Sequence, residues 1–157
     1  MSRTLMFSML LCFAAPMLGW QKPAGKPSFT GVWQLDAAKS KTELKGLVWK
    51  IDQKDALFAI EEIESGKPVS ASKCPIGKAC EFEDSGKKMS AMTYFLDSML
   101  IQTRSAADNS AVVKRKLKLN DDGSLLVELV TIVPSDKTET LVFTRQNGGA
   151  TATAAAQ

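Results

Sequence analysis

The chain has 157 residues, 45% of them hydrophobic and 24% charged, with 20 basic side chains against 17 acidic ones. That length suits one ordinary domain, and the composition is globular rather than disordered, collagen-like or coiled-coil. The near-even charge argues against a nucleic-acid or anionic-membrane binder. The absence of histidine removes Ser-His-Asp triads, Cys-His dyads, histidine-ligated zinc and histidine pH switches.

Residues 1–20 place Arg3 before an uncharged apolar run from Leu5 to Leu18. This is the layout of a secretory signal peptide, and the run is short for a membrane span. Export to a periplasmic or extracellular space with cleavage is expected, and no stable membrane insertion afterwards. The sequence leaves the cleavage site open: cutting after Gly19 puts the large Met17 at the third position back, and cutting after Ala15 leaves Pro16 next. The alternative is an uncleaved anchor. Cys12 follows Leu11, which is too large for a lipidation signal. Residues 21–28 carry Pro23, Gly25 and Pro27 and read as a linker. Residues 147–157 are small, uncharged and low in complexity, and read as a disordered tail.

Between them, residues 29–146 alternate short apolar stretches with turn signals at the spacing of an antiparallel sandwich or barrel. In chain order the expected strands are Gly31–Asp36, Leu47–Gln53, Ala56–Glu64, Val69–Ser72, Glu81–Glu83, Lys88–Phe95, Ser98–Arg104, Ala111–Leu119, Leu125–Val133 and Thr138–Gln146. A helix is credible only at Ala37–Leu44, where Asp36 can cap the first turn. Cys74 and Cys80 flank a segment containing Pro75 and Gly77. In an oxidising compartment this pair reads as a local disulfide that adds about 2–3 kcal/mol at most. A redox pair would want Cys-x-x-Cys spacing.

Glu61, Glu62 and Glu64 follow an apolar run. Adjacent glutamates point to opposite faces of a strand, so these read as a solvated strand end rather than a shared acid or metal site. The alternation is clearest in Ala111–Leu119 and Leu125–Val133. A loop of Asp121-Asp122-Gly123, with Gly123 left-handed, pairs Leu119 with Leu125, Leu117 with Val127 and Arg115 with Leu129. It sets Lys116 against Glu128 on the outer face. Arg115 is then the only charge on the inner face of this hairpin. A buried guanidinium needs a partner, either an internal carboxylate, carbonyl or water, or the carboxylate of a bound ligand.

The start of the folded region, Phe29-Thr30-Gly31-Val32-Trp33, carries the Gly-x-Trp that opens the first strand of lipocalins, and Leu35, Asp36, Lys39 and Ser40 extend the match. The last strand, Leu141-Val142-Phe143-Thr144-Arg145, ends in an arginine. On these residues the chain resembles small exported bacterial lipocalin-like (calycin-type) proteins. The resemblance implies an all-β fold, a single antiparallel barrel of about 8–10 strands with at most a short N-terminal helical turn. It also implies structural roles for Gly31, Trp33 and Arg145, with Arg145 stacked over the Trp33 indole to close the floor. The first connecting loop is too brief for a large lid.

The resulting expectation is an exported, non-catalytic barrel that binds a small hydrophobic or amphipathic molecule, with no cofactor, no metal and no catalytic residues. Arg115, Trp49, Phe58, Ile60, Met99, Leu117 and Leu129 are the candidate ligand contacts, among inward candidates that also include Leu47, Ile51, Met89, Ile101 and Phe143. The alternative is a barrel filled by its own side chains, acting through its surface as a protein-interaction or envelope-associated module. The sequence leaves oligomeric state and ligand identity open.

Overall fold

A computed structural model describes residues 25–146. The signal-peptide and tail readings lie outside the described residues. Ten antiparallel strands form one sheet: β1 Gly31–Leu35, β2 Leu47–Lys54, β3 Leu57–Glu64, β4 Lys67–Pro75, β5 Ala79–Asp84, β6 Lys87–Leu96, β7 Met99–Ala106, β8 Val112–Leu119, β9 Leu125–Val133 and β10 Lys137–Arg145. The spatial order is β4-β3-β2-β1-β10-β9-β8-β7-β6-β5, so consecutive strands pair except β4 and β5, and β1 also joins β10. The β1–β10 ladder pairs Trp33 with Arg145 and Leu35 with Phe143, and it curls the sheet into a barrel.

Closure is nearly but not fully made by hydrogen bonds. β4 and β5 end the order and share no ladder. Their seam is held at one end by the Cys74–Cys80 disulfide, whose Cα atoms are 5.6 Å apart. Gly77 N donates to Thr93 O at 2.7 Å beside it. At the other end Ser70 Oγ donates to Asp84 Oδ2 at 3.0 Å.

The helical segment is a single turn, α1 Ala37–Ser40. Asp36 caps it, accepting from Lys39 N at 3.1 Å. The helix does not run on to Leu44, because Lys41 takes a left-handed φ of 50° and ends the turn. Ser40 Oγ ties α1 to β10 by accepting from Val142 N at 2.8 Å.

The β8–β9 register is the one the alternation specifies: Leu119 faces Leu125, Leu117 faces Val127, Arg115 faces Leu129 and Lys116 faces Glu128. Gly123 has φ +79°, a conformation that costs other residues steric strain. Lys116 Nζ and Glu128 Oε1 are 2.5 Å apart on the outside.

Two inward assignments are corrected. Met99 and Ile101 belong to the outer face, because Leu100 pairs with Leu117 and Gln102 with Arg115. Those partners point inward, so the intervening residues of β7 point out. The run Met99-Leu100-Ile101 is apolar on both faces and offers no alternation to read.

The core fills one end of the barrel. Phe29, Trp33, Trp49, Phe58, Ile60, Leu100, Leu117, Leu125, Val127, Leu141 and Phe143 form one cluster of buried side chains. Trp33 Nε1 donates to Phe29 O at 2.8 Å, and Trp49 packs on Phe143 with ring centroids 4.7 Å apart. The Arg145 guanidinium lies 4.6 Å from the centre of the Trp33 ring. Gly31 beside this contact has φ +152°, a conformation that L side chains rarely adopt, although a Cβ there would stand at ordinary contact distance, 3.5 Å from Arg145 Nε and 3.6 Å from Trp33 Nε1.

Candidate functional site

Above the aromatic core the interior turns polar. Glu62 of β3, Arg104 of β7 and Arg115 of β8 are all buried. The strand ladders place them there. Glu62 stands opposite Trp49 and Ser70, Arg104 opposite Ala91 and Val113, and Arg115 opposite Gln102 and Leu129. All these positions share the inward parity.

Both guanidiniums converge on one carboxylate oxygen. Arg104 Nη1 donates to Glu62 Oε1 at 2.9 Å and Arg115 Nη2 donates to the same oxygen at 2.7 Å. Arg104 Nη2 also bridges to Asp84 Oδ2 and to Ser70 Oγ at 3.1 Å. Each guanidinium rests near an aromatic ring, Arg115 at 5.1 Å from Trp49 and Arg104 at 5.0 Å from Phe82. Beside them Gln102 Nε2 donates to Thr93 Oγ1 at 3.2 Å. Burial pushes the Arg115 guanidinium below its ordinary value; Glu62 opposes that shift and Arg104 reinforces it.

The layer is not saturated. Arg115 Nε and Nη1, Arg104 Nε, Trp49 Nε1, Ser72 Oγ and Gln102 Oε1 are buried without a hydrogen-bond partner among the described residues. Buried polar groups are ordinarily paired, so this concentration of unpartnered atoms sets the layer apart from the rest of the interior. Toward the open end, the inward-facing side chains of Met89, Val113, Leu129, Thr131 and Glu139 are only partly buried.

The sequence-based candidates therefore divide. Trp49, Phe58, Ile60 and Leu117 lie in the closed core cluster. Arg115 lies in the polar layer, and Leu129 stands opposite it on β9, half-buried. Met99 is outside the barrel and leaves the site. Glu62, Arg104 and Asp84 are the residues that sequence reasoning missed. Glu62 is no solvated strand end but the hub of the layer. Its neighbour Glu61 does face outward, 3.3 Å from Lys50 Nζ. A groove of about 850 Å³ crosses β1–β4, lined largely by outward-facing residues that include Val32, Lys50, Ala59 and Glu61.

No family model and no curated protein matches the sequence. The architecture does match solved structures. A secretary abundant heat soluble (SAHS) protein from Ramazzottius varieornatus superposes with a TM-score of 0.62 at 11% identity, over 80% of this chain and all of that one. The fold is a lipocalin-like barrel. Apo lipid binding protein 8 of Caenorhabditis elegans matches with a TM-score of 0.60 at 12% identity, covering 75% of this chain and 95% of that one. The REP1-NXSQ fatty acid transporter matches at 0.59 and 14% identity, covering 76% and 97% respectively. At these identities the barrel architecture is what is shared.

Proposed function

We propose that this lipocalin-like barrel binds a small amphipathic molecule without catalysis. The polar group of that molecule sits at the Arg104–Arg115 layer and its apolar part among the half-buried side chains of the open end. The observation that carries the reading is the set of guanidinium nitrogens, Arg115 Nε and Nη1 and Arg104 Nε, that are buried without partners beneath a half-buried rim whose apolar members are Met89, Val113 and Leu129. Burial of the apolar part supplies affinity and the buried donors fix orientation. Structural neighbours titled as a lipid binding protein and a fatty acid transporter support the same class of ligand. The apolar leader and the Cys74–Cys80 disulfide support an exported protein.

A second reading has its own observation. Trp49, Phe58 and Phe143 are almost wholly buried and fill the lower barrel, which suits a scaffold acting through its surface. Native mass spectrometry of protein purified from its own host separates the two. The binding reading expects a co-purifying amphiphile, and it expects Leu129→Trp, which crowds the open end, to reduce its retention. Protein that is empty on every preparation, and that takes up nothing from a panel of single-chain amphiphiles, supports the surface reading.

A further inference from the structure

The polar layer carries its own counterions. Arg104 and Arg115 are matched by the carboxylates of Glu62 and Asp84, so the cluster is balanced. Glu62 Oε1 lies between the two guanidiniums, at 2.9 and 2.7 Å. That is the position in which an acidic ligand would place its own carboxylate. We propose that Glu62 is a built-in substitute for a ligand carboxylate, and that the barrel selects amphiphiles with an uncharged polar head, such as alcohols, over the matching carboxylates. The inference rests on the ligand-binding reading above and names its ligand class.

Charge balance carries the first half of the argument. An anionic head brought to this layer shares two guanidiniums with two carboxylates already present. The surplus negative charge is then buried in a low-dielectric interior, where a like-charge neighbour is expensive. Glu62 cannot yield its place at low cost. It is a buried strand residue held by two ion pairs, and displacing it leaves a buried carboxylate unpaired.

Hydrogen-bonding capacity carries the second half. The unpartnered atoms are of both kinds: donors on Arg104, Arg115 and Trp49, and an unpartnered end of the Gln102 amide. A hydroxyl both donates and accepts, so it can complete a mixed set; a carboxylate only accepts. Glu62→Gln removes one negative charge at nearly constant volume and leaves the guanidiniums in excess. The same chain then acquires a site for an anion.

The test is isothermal titration calorimetry of the folded chain with decanol and with decanoate, near neutral pH. The expected result is decanol binding at least about tenfold tighter than decanoate, a difference of about 1.4 kcal/mol. In Glu62→Gln, decanoate gains about tenfold relative to decanol. Asp84→Asn, at a position nearer solvent, makes the same change of charge and serves if Glu62→Gln fails to fold by circular dichroism. Decanoate binding the wild type as tightly as decanol overturns the inference and leaves the binding reading standing. Neither compound binding the wild type contradicts the binding reading itself.

Discussion

Arg145 lies over the indole of Trp33, 4.6 Å from guanidinium carbon to ring centre, and the two residues are direct partners in the ladder that joins the last strand to the first. The contact therefore sits where the chain's two ends close the barrel. Trp33 is fully buried beneath it, while Arg145 is exposed. Cation–π attraction at an exposed site is worth about 0.5–1 kcal/mol. Arg145→Ala is expected to cost about 1 kcal/mol in urea unfolding. Trp33→Ala is expected to cost about 3–5 kcal/mol, as large core truncations do. Equal costs for the two would contradict this division between cover and core.

The β4–β5 seam is the weak line of the barrel, since no ladder crosses it. The disulfide between Cys74 and Cys80 spans a sequence separation of 6. A loop of that size is expected to contribute about 2 kcal/mol. Replacing both cysteines with serine should lower stability by that amount. It should also speed amide exchange at Gly77, whose partner is Thr93 O, more than in the β8–β9 hairpin. Uniform acceleration across the sheet would argue against a local staple.

The Glu62–Arg115 pair should show strong coupling. Glu62→Gln should cost about 3–5 kcal/mol because it strands the buried Arg115 charge, whereas Arg115→Met should cost less because Glu62 keeps Arg104. In Arg115→Met with Glu62→Gln, Arg104 keeps Asp84 as its partner, so no charge is left alone. The double variant is expected to be more stable than the sum of the single losses by about 1–3 kcal/mol. Additive losses, measured by denaturant titration, would show that the pair is not coupled.

Acid should loosen the β8–β9 turn through Asp122. Its carboxyl is held below the ordinary carboxylate value, chiefly by the Ser124 hydroxyl and then by the Ser124 backbone N–H. A carboxylate with a lowered folded value stabilises above its unfolded value and loses that contribution as pH falls through the folded one. The window therefore opens below about pH 4. Asp122→Asn should leave stability less sensitive to pH in that range, as followed by urea midpoints. An unchanged acid profile would contradict the assignment.

Sequence patterning made some of this visible. The β8–β9 register was legible because lysines alternate with inward residues in β8, ahead of a short loop with a left-handed glycine, and the single charge of β9, Glu128, falls opposite Lys116. Met99 was not legible, because its strand begins with three apolar residues in a row and only pairing with β8 sets which of them faces in. Glu62 was legible but passed over: it follows Phe58 and Ile60 at a spacing of two and so shares their inward face, while Glu61 points out. What the pattern did not supply was its partners, since Arg104 and Arg115 lie on distant strands. Arg104 and Asp84 lie on β7 and β5, two strands apart with β6 between them, so no ladder pairs them and no hairpin pattern announces their contact.

The most direct test of the binding site uses the two indoles of the folded barrel as reporters. Trp49 Nε1 is buried and unpartnered beside Arg115, whereas Trp33 Nε1 is bonded to Phe29 O in the closed floor. Titration of decanol into nitrogen-labelled protein, followed by indole N–H resonances, should shift the Trp49 signal and leave the Trp33 signal in place. A saturating titration that moves neither signal, or moves only that of Trp33, would contradict a site at the polar layer.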